Sequence, residues 1–198
     1  STQSINQTKF SITRFGNIAG SNGSVIPKFI SQIKNKKPIT VTDNRMTRFF
    51  MSLPEATDLV LRSLMMSEGG ETFITKMPVI KIYDLAMVIK EELDHHDSSE
   101  IIFTGSRAGE KLYEELSSEE ENRRQLESND FFCVIDNYLN MNSLHVENLK
   151  KKGFQSSSVV YNSARIKPLS RDEIRRYLTK IQILDQSLKN STYQRNIQ

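Results

Sequence analysis

The sequence predicts an α/β fold, and three observations carry the prediction. Apolar–polar alternation over Phe10-Ser11-Ile12-Thr13-Arg14-Phe15 marks a strand, and it is followed by Phe29, Ile30 and Ile33 at helical spacing. Strand-like and helix-like stretches keep exchanging along the rest of the chain. Glycines and prolines punctuate them, as at Pro38 and Gly69-Gly70. A complete doubly wound domain is not expected, because strands are few and no Gly-rich strand-to-helix turn exists. Gly16 and Gly20 do not form G-x-G-x-x-G, and no G-x-x-x-x-G-K-[ST] occurs.

The elements are expected in the following order. The strand from Phe10 runs into Gly16-Asn17 and a glycine–serine loop from Gly20 to Ser24. Pro27 opens an amphipathic helix that Pro38 stops. Ile39-Thr40-Val41-Thr42 is a short strand and Thr47 to Met51 another extended piece. Ser52-Leu53-Pro54-Glu55 has capping-box spacing, and the helix behind it is expected to turn Ala56, Leu59, Val60 and Leu64 inward. Glu71 to Thr75 is a strand, and Tyr83 to Leu93 a helix burying Leu85, Ala86, Ile89 and Leu93. Ile101 to Thr104 is a strand. The polar turn Gly105-Ser106-Arg107-Ala108-Gly109 is expected to lead into another helix. Phe131 to Ile135 is strand-like, and Ser118-Glu119-Glu120-Glu121 reads as a solvated helix start. Beyond Asn140 the pattern weakens until Ser170-Arg171-Asp172-Glu173, a second capping box. It opens a helix with Ile174, Tyr177, Leu178 and Ile181 inward.

Bulk properties narrow the function classes. Hydrophobic residues make up 37% and charged residues 26% of 198, ordinary for a soluble globular protein. No run approaches ~20 consecutive apolar residues, and the N-terminus shows no basic region followed by an apolar one. The chain does not begin with Met, which suggests a piece of something longer. Twenty-seven basic against 24 acidic residues leave a net charge of +3, too mild to argue for nucleic-acid or membrane binding. The single Cys133 lies in an apolar run and excludes an internal disulfide. It reads as a buried thiol, with no histidine nearby to activate it. His95, His96 and His145 lack metal-ligand spacing, so no metal is expected. Together these features place the chain in the cytoplasm.

Three polar constellations could carry chemistry. Arg14 to Pro27 joins a strand ending in Gly16-Asn17 to a glycine loop, which can bring backbone N–H groups close to a ligand or be a flexible connection. Val41 to Phe50 contains Arg45 and Arg48. Their planar forks suit phosphate oxygens, and equally a solvated hairpin. Gly105 to Glu115 places Arg107 before an expected helix N-terminus, an anion site or an ordinary first turn. Glu110 could accept hydrogen bonds from a ribose diol. Tyr113, Tyr138, Tyr161 and Tyr177 each lack a lysine four residues on, so no Tyr-x-x-x-Lys pair is present.

In this order the blocks resemble the extended short-chain dehydrogenase/reductase family. The resembling residues are Arg14 to Pro27, Val41-Thr42-Asp43 with Met46 to Phe50, Gly69-Gly70-Glu71 and Arg107 to Leu112. The branch is the CapD-like polysaccharide-biosynthesis proteins, which include inverting UDP-N-acetylglucosamine 4,6-dehydratases. The resemblance implies the C-terminal portion of an NAD(P)-binding Rossmann-type fold, with its last sheet strands and a small substrate-binding α/β subdomain. Residues 1–24 would end the Rossmann domain, 25–188 would form mainly the UDP-sugar subdomain with returning Rossmann elements, and 189–198 would be a frayed tail.

The same resemblance implies roles. Asn17 would contact the sugar-linked phosphate, and Gly16, Asn17 and Ile18 would lie near the nicotinamide of NADP (or NAD). Ser24, Val25 and Pro27, with Val41 and Thr42, would frame the uracil. Arg48 and Arg107 would clamp the diphosphate, and Glu110 would hold the ribose. The family's Gly-rich cofactor turn, its Tyr-x-x-x-Lys pair and its elimination residues precede the position of Phe10, so no catalytic residue is expected in this chain. The intact enzyme would be a homo-oligomer acting on a UDP-sugar, anchored to a membrane if at all through its N-terminal part. A UDP-sugar 4-epimerase and a non-catalytic UDP-sugar-binding module are the alternatives. Without the Rossmann half, the strand from Phe10 would leave core surface exposed.

Overall fold

The computed structural model describes residues 8–94, 98–106, 108–137, 141 and 143–183. The described elements follow in chain order. They are β1 (Ile12–Arg14), β2 (Asn17–Ile18), α1 (Val25–Lys34), β3 (Ile39–Val41), β4 (Thr47–Met51) and α2 (Leu53–Met66). Next come β5 (Thr72–Thr75), β6 (Val79–Lys81), α3 (Ile82–Leu93), β7 (Ile101–Phe103) and a 3-10 turn at Glu121–Arg124. The chain continues through β8 (Gln125–Glu127), β9 (Phe131–Val134), α4 (Leu144–Lys151), β10 (Gln155–Ser156) and α5 (Arg171–Lys180). The fold class is α/β, as expected.

The chain divides into two compact units. The first comprises Ser1–Phe15, Pro54–Lys76 and Glu115–Asn162, and the second Gly16–Leu53, Met77–Glu114 and Ser163–Gln198.

The first unit is built on a five-stranded sheet in the order β1-β5-β9-β8-β10. β1 pairs parallel with β5, Ile12 opposite Thr72, and the remaining pairs are antiparallel. Phe73, Phe131, Phe132 and Cys133 are buried, and Phe73 meets Phe154 with ring centroids 6.4 Å apart. Burial pushes the Cys133 thiol far up, so the reading of an inert buried cysteine holds.

A buried carboxylate closes the turn between α2 and β5. Glu71 accepts hydrogen bonds from Ser67 Oγ at 3.0 Å, Glu68 N at 2.7 Å and Gly69 N at 3.0 Å. Gly69 and Gly70, at φ 111° and 88°, bend the chain so that those N–H groups converge on it. His145 Nε2, from α4, stands 2.8 Å from Glu71 Oε1 at ion-pair distance, without hydrogen-bond alignment.

Three expectations are corrected in this unit. Val60 and Leu64 of α2 are 46% and 74% exposed, and the helix instead buries Ala56, Leu59 and Ser63. The sequence of α2 is apolar on more than one face, so periodicity could not choose the covered one. The acidic run Ser118 to Glu121 does lead into a short helix, the 3-10 turn, with Glu119 and Glu120 exposed, but Glu121 itself is not solvated. Arg14 donates from Nη1 to Glu121 Oε2 at 2.8 Å, from Nη2 to Oε1 at 2.6 Å, and from Nη1 to Leu116 O at 2.8 Å. This fork holds the Glu121 carboxyl down at about 2. Finally, α4 forms where no element was expected, capped by Ser143, whose Oγ accepts from Val146 N at 3.4 Å. As expected, Phe10 and Ile12 are exposed, at 77% and 60%.

The second unit holds a three-stranded sheet, β2-β4-β6, and the parallel pair β3-β7. Helices α1, α3 and α5 contribute Ile26, Phe29, Ile33, Leu85, Ile89 and Leu178 to one apolar core. α1 begins at Val25 rather than Pro27. The first four N–H groups of a helix have no intrahelical partner, so proline fits anywhere in that turn. The capping box at Ser170 and Glu173 is present. Arg175 ties α5 to α3 through Glu92 at 2.5 Å and Glu91 at 2.8 Å.

The Arg14–Glu121 fork is testable by pH. The Glu121 pKa is depressed on folding, so its stabilisation is complete above about pH 4.5 and is lost as pH falls toward about 2. E121Q should therefore lose about 2 kcal/mol at pH 7, with the gap from the parent narrowing below about pH 4.5 and closing only below about pH 2. Urea unfolding across this range measures it, and a gap independent of pH would refute the assignment.

Candidate functional site

Within the second unit, one cavity of about 300 Å³ collects residues from five stretches of the chain. Each wall has a local cause. β2 pairs parallel with β4, Asn17 opposite Phe50 and Ile18 opposite Met51, and this sets Asn17 and Ile18 at the cavity edge. The loop beyond folds back on itself: Ser21 Oγ donates to Ile18 O at 2.9 Å, and Ser24 N to Ser21 O at 3.0 Å. Gly20 and Gly23, at φ 79° and 77°, supply the left-handed turns this path requires. The chain then enters α1, whose first turns present Ser24, Val25, Lys28 and Phe29 to the cavity.

The opposite wall is β3 with Thr42. Gln32 of α1 holds Thr40 through its hydroxyl at 2.8 Å and its N–H at 3.1 Å. Thr42 Oγ1 donates to Glu110 Oε1 at 3.2 Å, so the carboxylate joins the wall through a side chain remote in sequence. Arg45 is not part of this wall. It is exposed and forks onto Asp43 at 2.8–3.0 Å, which holds that carboxyl near 2.

Arg48 links the floor to the segment bearing Glu110. Its Nη1 donates to Thr47 O at 2.8 Å and Leu112 O at 3.2 Å, and its Nη2 to Lys111 O at 2.6 Å. Its Nε lies 3.6 Å from Glu114 Oε1. A guanidinium has five N–H groups; three donate to these carbonyls, while Nε–H and the second Nη2 proton make no hydrogen bond among the described residues. Burial raises the Glu114 pKa and the Arg48 charge opposes the shift.

The helix expected beyond Gly109 is absent, and with it the helix-terminus argument for an anion site there. Gly109 sits at φ 81°, and the carbonyls of Lys111 and Leu112, which a helix would use internally, are taken by Arg48. Thr47 N also donates to Leu112 O at 3.0 Å. Local helix propensity yields to these long-range bonds.

Eight expected site residues thus converge: Asn17, Ile18, Ser24, Val25, Val41, Thr42, Arg48 and Glu110 all line the cavity. Gly16 and Pro27 are not among the lining residues. Gly16 packs tightly: a Cβ there would lie 2.7 Å from Met77 Sδ and 2.9 Å from Phe49. Arg107, His95, His96 and Tyr138 lie outside the described residues. Sequence reasoning missed Lys28, Phe29, Met46 and Phe50 as cavity residues. Only Lys28 had a visible signal, standing four residues after Ser24 on the same helix face. Among the described residues, no three His, Cys, Asp or Glu side chains are placed to hold a metal. None of the described helices is long and apolar enough to cross a membrane.

Comparisons with known proteins identify the chain's relatives. A family described as "Polysaccharide biosynthesis protein" matches residues 1–136. An uncharacterized membrane protein of Methanocaldococcus jannaschii is 39% identical over 183 residues, covering 90% of this chain and 51% of that protein. A UDP-glucose 4-epimerase of Rickettsia massiliae is 37% identical over 187 residues, covering 93% of this chain and 53% of that protein. The chain therefore spans about half the length of the curated relatives it matches. Among solved structures, Pen from Bacillus thuringiensis superposes with a TM-score of 0.76 at 37% identity, over 88% of this chain and 50% of that one.

R48Q should unseat the 111–114 segment and leave Glu114 half-buried without its cation. We expect a deficit of about 3 kcal/mol at pH 7. Glu114 already titrates above its ordinary value, and without Arg48 it would rise further. The added penalty applies only where Glu114 is charged in the unfolded chain. It should therefore shrink as pH falls below about 4.5. Chemical denaturation of R48Q and R48Q/E114Q checks this: the second change should restore part of the loss at pH 7 and none at pH 3.

Proposed function

The chain belongs to the polysaccharide biosynthesis protein family, and we propose on that footing that it is the sugar-nucleotide-binding portion of an NAD(P)-dependent enzyme modifying a UDP-linked sugar. The observation that carries this reading is the convergence of three separate motif blocks on one cavity. Small-molecule pockets pair a largely apolar wall with a few convergent polar groups, and this cavity has both.

In this reading Asn17 meets the sugar-linked phosphate. Ser24 and Val25, with Val41 and Thr42, frame a uracil, and Pro27 fixes the start of α1 beside it. The Nη2 proton left on Arg48 serves the diphosphate together with Arg107. Glu110, oriented by Thr42, accepts from a ribose hydroxyl. Residues 1–24 end the Rossmann domain, and 25–188 are mainly the substrate subdomain. The described residues do not themselves fit a dinucleotide. They include no Gly-rich strand-to-helix turn to cradle its phosphates, and the close approach at Gly16 is filled by Met77 and Phe49. NADP or NAD therefore belongs, in this proposal, to a Gly-rich half of the intact enzyme.

The activity we propose for that enzyme is 4,6-dehydration of UDP-N-acetylglucosamine. A second reading, 4-epimerisation of a UDP-sugar, is favoured by the Rickettsia relatives bearing that name. The clamp residues suit both, since both reactions hold the nucleotide and differ at the sugar.

Two measurements test the proposal. UDP should raise the melting temperature of the chain and bind at micromolar concentration, and N17A and E110Q should each weaken it about tenfold. The purified 198-residue chain should not turn over UDP-N-acetylglucosamine. With the full-length enzyme, a 4-keto-6-deoxy product supports dehydration and a C4 epimer the second reading; absence of both, with no UDP binding by the chain, sinks the proposal.

A further inference from the structure

Residues 110–114 bring Glu110 to the cavity, yet they belong to no helix or strand and none of them is buried. Without a backbone ladder or a buried apolar side chain, such a segment keeps its place through bonds from elsewhere. Arg48 and Thr47 supply bonds to Lys111 and Leu112 from β4. A further pair comes from Ser163, 49 positions beyond Glu114 and 1% exposed. Its Oγ accepts from Glu114 N at 2.9 Å, and its N–H donates to Glu114 O at 2.8 Å. The same Oγ stands 2.9 Å from Thr47 Oγ1 and donates to Thr47 O at 3.3 Å. A hydroxyl has one proton and two lone pairs. All three are used when the Thr47 hydroxyl donates to Ser163 Oγ, because Glu114 N fills the other lone pair and Thr47 O takes the proton. Thr47 O is also the acceptor for Arg48 Nη1 at 2.8 Å. One buried hydroxyl thus joins the base of the Arg48 fork to the far end of the segment that bears Glu110.

We propose that Ser163 is a positioning residue of the candidate site: it fixes the 111–114 backbone against β4, and so fixes where Glu110 presents its carboxylate. The inference rests on the UDP-sugar reading above, in which Glu110 accepts from a ribose hydroxyl. Ser163 is not among the residues lining the cavity, so its effect on a ligand passes through Glu110. Binding groups act well only when a supporting layer holds them within about 0.5 Å of the productive place. Alanine at 163 leaves Glu114 N without its acceptor and the Thr47 hydroxyl without its partner. Unmade bonds at a buried position are costly, and movement of the segment toward water relieves them. Loss of the Ser163 hydroxyl should therefore weaken UDP only while Glu110 is there to be misplaced.

Calorimetric titration of UDP into the parent chain, S163A, E110Q and S163A/E110Q makes the test. S163A should weaken UDP about fivefold, although no ligand contact is removed. In the E110Q background the same change should alter the affinity by less than about twofold. T47V removes one partner of the hydroxyl and leaves the bonds between Ser163 and Glu114. It should weaken UDP about threefold, again with no effect beside E110Q, and it carries the test if S163A does not fold. A merely structural role would weaken UDP equally with and without Glu110, and that additivity overturns the inference while the UDP-sugar reading stands. Unchanged UDP affinity in S163A and T47V overturns it too. Failure of the parent chain to bind UDP would overturn the underlying reading and this inference with it.

Discussion

One guanidinium organises the candidate site. Arg48 rises from β4, donates three N–H groups to the carbonyls of Thr47, Lys111 and Leu112, and pairs in charge with Glu114. A largely buried guanidinium needs acceptors on most sides. The carbonyls of Lys111 and Leu112 supply two of them because 110–114 stays out of a helix. Glu110 then reaches Thr42, and the cavity gains the one carboxylate among its described lining residues. Without that constraint the segment would be free to follow its own helical preference, and the polar wall opposite α1 would not exist.

Elements whose burial pattern is one-sided were legible in the sequence. α1 and α5 show apolar residues on one face only, and Ser170 with Glu173 announces the start of α5. α2 was legible as a helix but not in orientation, because its apolar residues occupy two faces and nothing local says which is covered. The 110–115 segment was misread for another reason. Its local preference is helical, and the partner that overrides it lies more than sixty positions earlier in the chain. Glu121 looked like one more solvated acid until its fork with Arg14 brought together residues 107 positions apart.

The candidate site was more legible than the fold around it. Asn17, Thr42, Arg48 and Glu110 were visible as polar residues in a family-like order, while their convergence required the parallel pairings β2 with β4 and β3 with β7. Lys28 escaped notice as a cavity residue because a lysine on a first helical turn is ordinary.

The pairing of Glu71 with His145 has a consequence in evolutionary time. Glu71 is buried, and its bonds to the turn at Ser67, Glu68 and Gly69 require an acceptor at that place. Replacing His145 by an aliphatic residue removes the one side chain at ion-pair distance, leaving the carboxylate to backbone amides and a serine. Replacing Glu71 alone strands both the turn and the imidazole. The two positions touch across 74 residues of chain, so the effects of changing both are not the sum of changing each alone. What one position tolerates therefore depends on what stands at the other.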